Sequence, residues 1–389
     1  MFDKNEITVQ EREIRVGLIG SGFMGVAHSN AFRNAGIWYN LPVKVIMKVV
    51  CATNQERLIA FARKFGWEET TADWRSVVSR EDIDLISIAT PGNLHRDIAI
   101  EAARHGKHIL CEKPLANCLT DAELMLEAAT RAGIRHCCGY SYQFTPATAL
   151  AAQLVRDGRL GRIFHVYARY AQDWPVSVKF PMTWRFDKTV AGSGSLGDIC
   201  AHSIALTHFI TGLRFEEVVG NSETLITERP LPNGSSPAER AKVTVDDVAQ
   251  FLCRFDNGAT GCFEATRMAT GRKNHNYIEV NGEAGSLYWD FEEQDYLYFY
   301  DQTRPVLEQG FAKVNVTHDS HPYGGGPWPQ GHGIGYADTF VIEVAEFLKA
   351  IANEKEFRPS FEDGVQVQRV LDAVEKSAGT RQWLRLDHR

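Results

Sequence analysis

The run Val16-Gly17-Leu18-Ile19 meets Gly20-Ser21-Gly22-Phe23-Met24-Gly25 and continues as Val26-Ala27-His28-Ser29-Asn30-Ala31-Phe32. No other stretch constrains the fold so tightly. An apolar strand that enters three glycines in G-x-G-x-x-G spacing and leaves as a helix is a strand–loop–helix unit with a phosphate cradle at its turn. Gly20 permits the tight turn, Gly22 lets a pyrophosphate approach the backbone, and Gly25 lets helix and strand pack closely. Phe23 and Met24 open the helix, whose unpaired N–H groups favour an anion. A dinucleotide site built on Gly20, Gly22, Phe23, Met24 and Gly25 is the expectation.

The segments that follow fit that start. Strands are expected at 14–19, 43–51, 84–89, 108–111 and 135–139, and helices at 23–34, 55–65, 94–105 and 121–132. Strand–helix alternation across short turns means βαβ units and a parallel sheet. The second strand of such a unit often ends in an acid that holds the adenine ribose. Here it ends Cys51-Ala52-Thr53-Asn54-Gln55-Glu56-Arg57, with Ala52 at the acid's position. Thr53, Asn54 and Arg57 are donors suited to a 2′-phosphate, which tilts NAD(P) binding toward NADP; Glu56 or backbone contacts to an NAD ribose are the alternative.

Beyond residue 140 the texture changes. One helix, 146–156, is followed by alternating apolar and polar runs at 163–170, 243–255, 259–266 and 277–300. Turn signals such as Asp256-Asn257-Gly258 and Asn281-Gly282 separate them. Alternation of this kind means a mostly antiparallel sheet with one buried face. Two amphipathic helices, around 340–351 and 363–378, close the chain. The expected organisation is a Rossmann domain over 1–139 and an α+β domain with a large open sheet over 140–389. A Gly/Pro-rich loop at 321–335 is long enough to suggest a functional role.

Net charge is −7, which argues against nucleic acid as a partner. No apolar run approaches the roughly 18 residues of a membrane span, and the polar first dozen residues do not read as a leader. Eight cysteines form no Cys-x-x-Cys and no Cys/His cluster of zinc spacing, so no metal is expected. Several lie within apolar runs, as buried thiols of a cytoplasmic protein do.

Two stretches carry chemistry. In Leu110-Cys111-Glu112-Lys113-Pro114 an apolar strand stops at a charged pair locked by proline. Strand ends of an open α/β sheet face the ligand crevice, so Lys113 is aimed there. In Gly192-Ser193-Gly194-Ser195-Leu196-Gly197-Asp198-Ile199-Cys200-Ala201-His202 a Gly/Ser loop enters a helix. Asp198 and His202, four apart, are expected on one helical face. Histidine ionises near neutrality, so it suits removal of a hydroxyl proton.

Taken in order, Gly20-x-Gly22-x-x-Gly25, Ala89-Thr90-Pro91, Glu112-Lys113-Pro114 and Gly197-Asp198-x-x-x-His202 resemble the glucose–fructose oxidoreductase/inositol dehydrogenase (Gfo/Idh/MocA) family, over nearly the whole chain. The resemblance implies that Thr90, Pro91, Asn93, His95, Glu112 and Lys113 join the cofactor site and that the Lys113–Pro114 bond is cis. It implies that Lys113 orients the substrate hydroxyl, His202 is the base, and Asp198 orients substrate and supports the charge on His202. Tyr142, Gln172, Asp173, Trp184, Arg185 and Tyr336 would complete the substrate pocket, with Trp174 and Trp184 as a flat apolar wall. Three departures stand out: Gly92 stands where the family often has asparagine, which shifts that ribose contact to Asn93; Gln143 replaces an arginine after Tyr142; and Ala52 replaces the acid of NAD-using members. The stretches Gln172-Asp173-Trp174, Trp184-Arg185-Phe186, Ala191-Gly192-Ser193-Gly194, His321-Pro322-Tyr323-Gly324 and Gly333-Ile334-Gly335-Tyr336 point, within the family, to members acting on rigid pyranoses such as levoglucosan. The implied activity is NAD(P)-dependent oxidation of a ring hydroxyl to a keto sugar. An inositol dehydrogenase, a keto-sugar reductase and a non-catalytic dinucleotide sensor are the alternatives. A homodimer or homotetramer through the open sheet face is implied as well.

Overall fold

The computed structural model of the chain describes residues 12–232, 239–326 and 328–387. The expectation drawn from the first dozen residues falls almost wholly outside them. The chain begins β1 (Glu13–Ile19), α1 (Phe23–Trp38), β2 (Lys44–Cys51), α2 (Gln55–Phe65), β3 (Glu69–Thr71), α3 (Trp74–Val78), β4 (Leu85–Ile88), α4 (His95–Arg104), β5 (His108–Glu112), α5 (Leu119–Ala132) and β6 (His136–Gly139). The six strands pair in parallel in the order β3-β2-β1-β4-β5-β6. That order is the doubly wound Rossmann sheet, with its reversal point between β1 and β4. Ligands bind outside the strand ends at such a point, where the glycine loop lies.

Local chemistry sets the helix bounds. Asn54 caps α2 by accepting from Arg57 N at 3.0 Å, and Gly66, at φ 83°, ends it. Helix α1 outruns the expected stop at residue 34 because Ala35 is buried against the sheet and Gly36 is tolerated. The short β3 and α3 carry too few residues to show a period, and sequence reading missed both.

The second half runs α6 (Pro146–Arg156), β7 (Ile163–Ala171), α7 (Lys188–Ala191), a π turn (Leu196–Cys200), α8 (Ala201–Thr211), β8 (Phe215–Glu223), β9 (Glu228–Pro230), β10 (Arg240–Lys242), β11 (Val248–Phe255), β12 (Thr260–Thr266), β13 (His275–Gly282), β14 (Gly285–Asp290), β15 (Tyr296–Asp301), β16 (Ala312–Asn315), α9 (Tyr336–Ala352), α10 (Phe361–Thr380) and β17 (Leu384–Arg385). Nine strands form one sheet, β16-β15-β14-β13-β7-β12-β11-β8-β17. All its pairs are antiparallel except β7 with β12. Of the alternating run 243–255, Val243 and Val245 pack instead with Phe186, Trp174, Phe180 and Met182 in a separate cluster. β9 and β10 form their own hairpin.

One face of the large sheet is buried: Val166, Ala168, Phe251, Phe263, Ile278 and Leu287 join the core with Ile204 of α8 and Val370 of α10. Helix α9 crosses back to the first sheet. Its Phe340, Val341, Val344, Phe347 and Leu348 pack with Ile14, Val16, Leu18 and Phe32. A residue-340s helix thus completes one face of a sheet begun at residue 13. This crossing brings Tyr336, at the start of α9, to the mouth of the crevice.

Candidate functional site

A single cleft of about 1100 Å³ runs from the glycine loop across the ends of β4, β5 and β6 to the large sheet. At its first end Gly20 has φ 112°, and a Cβ there would meet Ala89 O at 2.3 Å. A Cβ on Gly25 would meet Gly20 O at 2.3 Å, whereas Gly22 faces open space. Gly22 is the N-cap of α1 and brings no capping side chain, so the first N–H groups of the helix are left for a ligand. These features fit a dinucleotide pyrophosphate: two close backbone approaches, one bare cradle and free donors. Thr90 Oγ1 is buried in this part of the cleft without a partner.

The loops at this end are stapled. His95 is buried, with Nε2 3.0 Å from Thr90 O and Nδ1 3.2 Å from both Pro114 O and Leu115 O. One ring therefore ties the loop after β4 to the loop after β5. Burial holds its pKa below the ordinary histidine value. Asn117 ties a third loop by donating to Val190 O at 3.0 Å. It also fills the space that a Cβ on Gly92 or Gly192 would need. Glu112 is buried, takes His28 Nε2 at 2.8 Å and accepts from Lys113 N at 3.2 Å. It thus fixes the turn that aims Lys113, and the Lys113–Pro114 bond is cis.

Lys113, Asp198, Arg267 and His202 meet in the cleft. Lys113 Nζ donates to Asp198 O at 2.5 Å and to Oδ1 at 3.2 Å. Arg267 Nη2 donates to Asp198 Oδ2 at 2.7 Å. Burial pushes the Asp198 carboxyl up, but Lys113, Arg267 and Arg185 outweigh it and hold the group well below the usual carboxylate range. His202 goes the other way: burial, then the Lys113 charge, push it well below the ordinary value, against a smaller opposing pull from Asp198. It is therefore a neutral imidazole near pH 7, able to accept a proton. Its Nδ1 is buried without a partner.

The expected α-helical face joining Asp198 and His202 needs correction. Residues 196–200 form a π turn, and the α-helix begins only at Ala201. The wider turn leaves Asp198 bonded to Lys113 and Arg267, not to His202, although both line the cleft. The loop before it is held from outside: Asp246 accepts from Gly194 N at 2.6 Å, Ser195 Oγ at 2.6 Å and Leu196 N at 2.8 Å.

At the far end the large sheet supplies a network. Tyr142 Oη donates to Tyr170 Oη at 2.8 Å and accepts from Asn274 Nδ2 at 3.1 Å. Asn274 Oδ1 accepts from Tyr170 Oη at 2.6 Å and from Gln172 Nε2 at 2.9 Å. Trp174 Nε1 donates to Gln172 Oε1 at 3.1 Å. The Tyr142 ring stands edge-on to His202 with centroids 4.7 Å apart. Trp184 carries the Arg185 guanidinium 4.4 Å above its ring. Tyr336 stacks on Phe23 at 6.1 Å, so an aromatic lip joins the two halves.

Of the residues expected at the site, Gly20, Gly22, Phe23, Met24, Thr53, Thr90, Pro91, His95, Glu112, Lys113, Tyr142, Gln172, Trp184, Arg185, Asp198, His202 and Tyr336 line this cleft. Gly25 packs beneath the loop, and Asn54 serves as a helix cap. Arg57 and Asn93 are exposed outside the cleft lining. Asp173 lies outside it too, bonded to Lys273 Nζ at 2.7 Å and Gly271 N at 2.9 Å. Sequence reading missed Tyr170, Asn274, Arg267, Asn117 and Asp246. Arg267 had a usable signal: like Lys113, it is a charged residue directly after a buried strand.

The family model for the NAD-binding Rossmann fold of the GFO/IDH/MocA oxidoreductases matches residues 14–140, and that family's C-terminal domain model matches residues 148–288. The levoglucosan dehydrogenase of Pseudarthrobacter phenanthrenivorans is 41% identical over 96% of this chain and 98% of its own. A solved levoglucosan dehydrogenase in complex with NADH and levoglucosan superimposes with a TM-score of 0.93 at 41% identity, covering 97% of this chain and 100% of that one. An oxidoreductase domain protein from Kribbella flavida superimposes with a TM-score of 0.94 at 49% identity, over 97% and 100%.

Proposed function

The chain belongs to the Gfo/Idh/MocA oxidoreductases, and from that premise we propose that it oxidises a ring secondary hydroxyl of a pyranose-like sugar, levoglucosan or a close relative, to a keto sugar. Residues 1–139 would hold the dinucleotide and residues 140–389 the sugar. The observation that carries the reading is the meeting of Lys113, Asp198 and His202 in one cleft with a bare phosphate cradle. A sensor without turnover needs no such trio. When bound, the nicotinamide supplies the hydride acceptor. Lys113 donates to the substrate oxygen and favours its loss of a proton; neutral His202 takes that proton. Asp198 stays ionised and offsets the two cations beside it, Lys113 and Arg267. Trp174, Phe180 and Trp184 line the sugar end with flat apolar faces suited to a rigid ring.

The test is cofactor reduction by the purified protein with levoglucosan, D-glucose and myo-inositol in parallel. Levoglucosan or another pyranose should give the highest kcat/KM. Faster turnover of myo-inositol would replace the sugar reading with the inositol one.

The dinucleotide end supports use of both NAD and NADP. Ala52 lines the cleft and carries no charge to repel a 2′-phosphate, and Thr53 lies beside it as a donor. Of the three donors only Thr53 lines the cleft; Arg57 and Asn54 lie outside its lining, and the helix cap engages only the oxygen of Asn54, so the expected tilt toward NADP rests on Thr53. An aspartate in place of Ala52 should raise the NAD over NADP ratio of kcat/KM by about tenfold, the effect of one charge-assisted contact. An unchanged ratio would remove position 52 as the determinant.

No helix of the described residues is long and apolar enough to cross a membrane. The eight cysteines are free and six are buried, which supports a reducing, cytoplasmic setting. The uncovered face of the large sheet carries Tyr167, Tyr277, Tyr288 and Tyr298, whose rings contact one another in a row across β7, β13, β14 and β15, and exposed Phe311. It is the face a second copy would cover in a homodimer or homotetramer.

A further inference from the structure

One wall of the sugar end is not built from strands. It is the segment between β7 and α7, which brings Trp174, Phe180, Thr183, Trp184 and Arg185 to the cleft. The main-chain bonds from its body to the rest of the chain include Met182 N to Pro230 O at 2.8 Å. What the segment does wrap around is a guanidinium. Arg229, on the separate β9–β10 hairpin, is 0% exposed. Its Nη2 donates to Pro175 O at 2.8 Å, and its Nη1 to Ser177 O at 3.2 Å and Phe180 O at 3.5 Å. Its Cζ lies 4.2 Å from the Phe186 ring centre and 5.8 Å from that of Phe180. Phe186 in turn packs on Trp174 at 5.7 Å, and Trp174 on Phe180 at 5.1 Å. A second hairpin residue, Arg240, reaches Val178 O at 3.4 Å.

A wholly buried charge is costly unless its donors are filled and organise what surrounds them. Here three carbonyls of one irregular segment converge on a single fork. Only a planar, five-donor group can bind carbonyls at that spread while lying on two rings. We propose that Arg229 is the positioning residue of the substrate wall: by gathering the 175–180 carbonyls and pressing Phe186 against Trp174, it sets the width of the sugar pocket and so its selectivity, without touching substrate. The proposal rests on the sugar-dehydrogenase reading for its kinetic arm only.

The test compares wild type with R229K, R229M and F186L. Removing the fork should raise KM for the preferred sugar by about tenfold, the scale of a badly filled pocket. It should leave kcat and the NADH dissociation constant unchanged and narrow the gap between preferred and poor sugars. R229K keeps the charge and part of the bonding, so it should fall between wild type and R229M. F186L should shift KM in the same direction. A second readout needs no substrate: trypsin cleavage after Lys179, an exposed residue of the segment, should be faster in R229K than in wild type. If wild type oxidises no sugar, the functional reading fails while Lys179 cleavage still decides the role of Arg229. If R229M does not fold, R229K and F186L decide it. Wild-type KM and wild-type cleavage in a folded variant would overturn the proposal, as would NADH affinity falling by the same factor as sugar affinity.

Discussion

Lys113 is bonded to Asp198 from one side while Arg267 holds it from the other, and this pairing governs His202. The imidazole is buried beside an ammonium, so its charged form is disfavoured twice. A base must be neutral to act, and activity is lost as pH falls through its pKa. Because that pKa lies below 6.5, kcat/KM should stay on its plateau through pH 6.5 and drop only in more acidic solution. A pH profile whose acid limb is centred at or above 6.5 would count against His202 as the base. Replacing Lys113 or His202 by alanine should lower turnover about 10²–10⁴-fold, the usual scale for a positioned acid–base group. NADH binding, read by fluorescence, should suffer only in the Lys113 variant. Glu343 presents a different case. It is fully buried in α9 with both carboxyl oxygens unpartnered, and burial, then the nearby Glu112, raise its pKa well above the ordinary value. A group with a raised folded pKa contributes its full stability below the unfolded pKa of about 4.5, and that stability is lost as pH rises toward the folded value. Glu343→Gln mimics the protonated form. Its melting temperature should therefore gain on wild type as pH rises above about 4.5. A pH-independent difference would show that Glu343 is ionised in the folded protein.

At the scale of elements, Asp198 sits on a π turn rather than on a regular helix. π turns are rare and recur at functional sites. This one begins where Asp246 takes the amides of Gly194 and Leu196 and the Ser195 hydroxyl. A Cβ on Gly194 would meet Asp246 O at 1.7 Å, so the loop and the short turn before β11 are in direct backbone contact. Asp246→Ala leaves these partly buried donors without their acceptor. The expected cost is about 1–3 kcal/mol of stability, measured by urea unfolding. kcat should fall while NADH affinity is kept, because Asp198 moves and α1 does not. Wild-type kcat in that variant would mean that the turn holds its shape unaided.

For the whole molecule, the open question is what covers the outer face of the nine-stranded sheet. Broad exposed sheet faces with aromatic stripes usually mark an interface. Tyr288 and Tyr298 stack at 4.3 Å on β14 and β15, toward one edge of the sheet, and Phe311 packs on Tyr288 at 5.1 Å. Light scattering should give a dimer or tetramer for wild type. Tyr288→Glu should shift it toward smaller species, because a second copy would bury that charge. A monomeric wild type would refute the arrangement.

The sequence by itself determined the strand–glycine–helix start, the parallel sheet and the alternating sheet beyond residue 140, and it picked out Lys113, Asp198 and His202, which the fold brings to one cleft. All of these rest on local rules: a period of two or 3.6, a glycine where the backbone must turn, a charge at the end of a buried strand. What lay beyond it joins residues far apart in the chain. Arg267 meets Asp198, Asn274 meets Tyr142, Asp246 meets Gly194 and Arg229 meets Pro175, and no local spacing encodes any of these pairs. The π turn is likewise invisible, since four residues apart reads as one α-helical face until the surrounding bonds widen it. Asn54 and Asp173 show the converse. Their chemistry suited a ligand, yet the fold sets both outside the cleft lining, with Asn54 Oδ1 capping α2 and Asp173 paired to Lys273. Tertiary packing decided these points because a polar group bonds whatever partner the fold brings nearest, and that partner is set by how the two sheets are joined, which no short stretch contains.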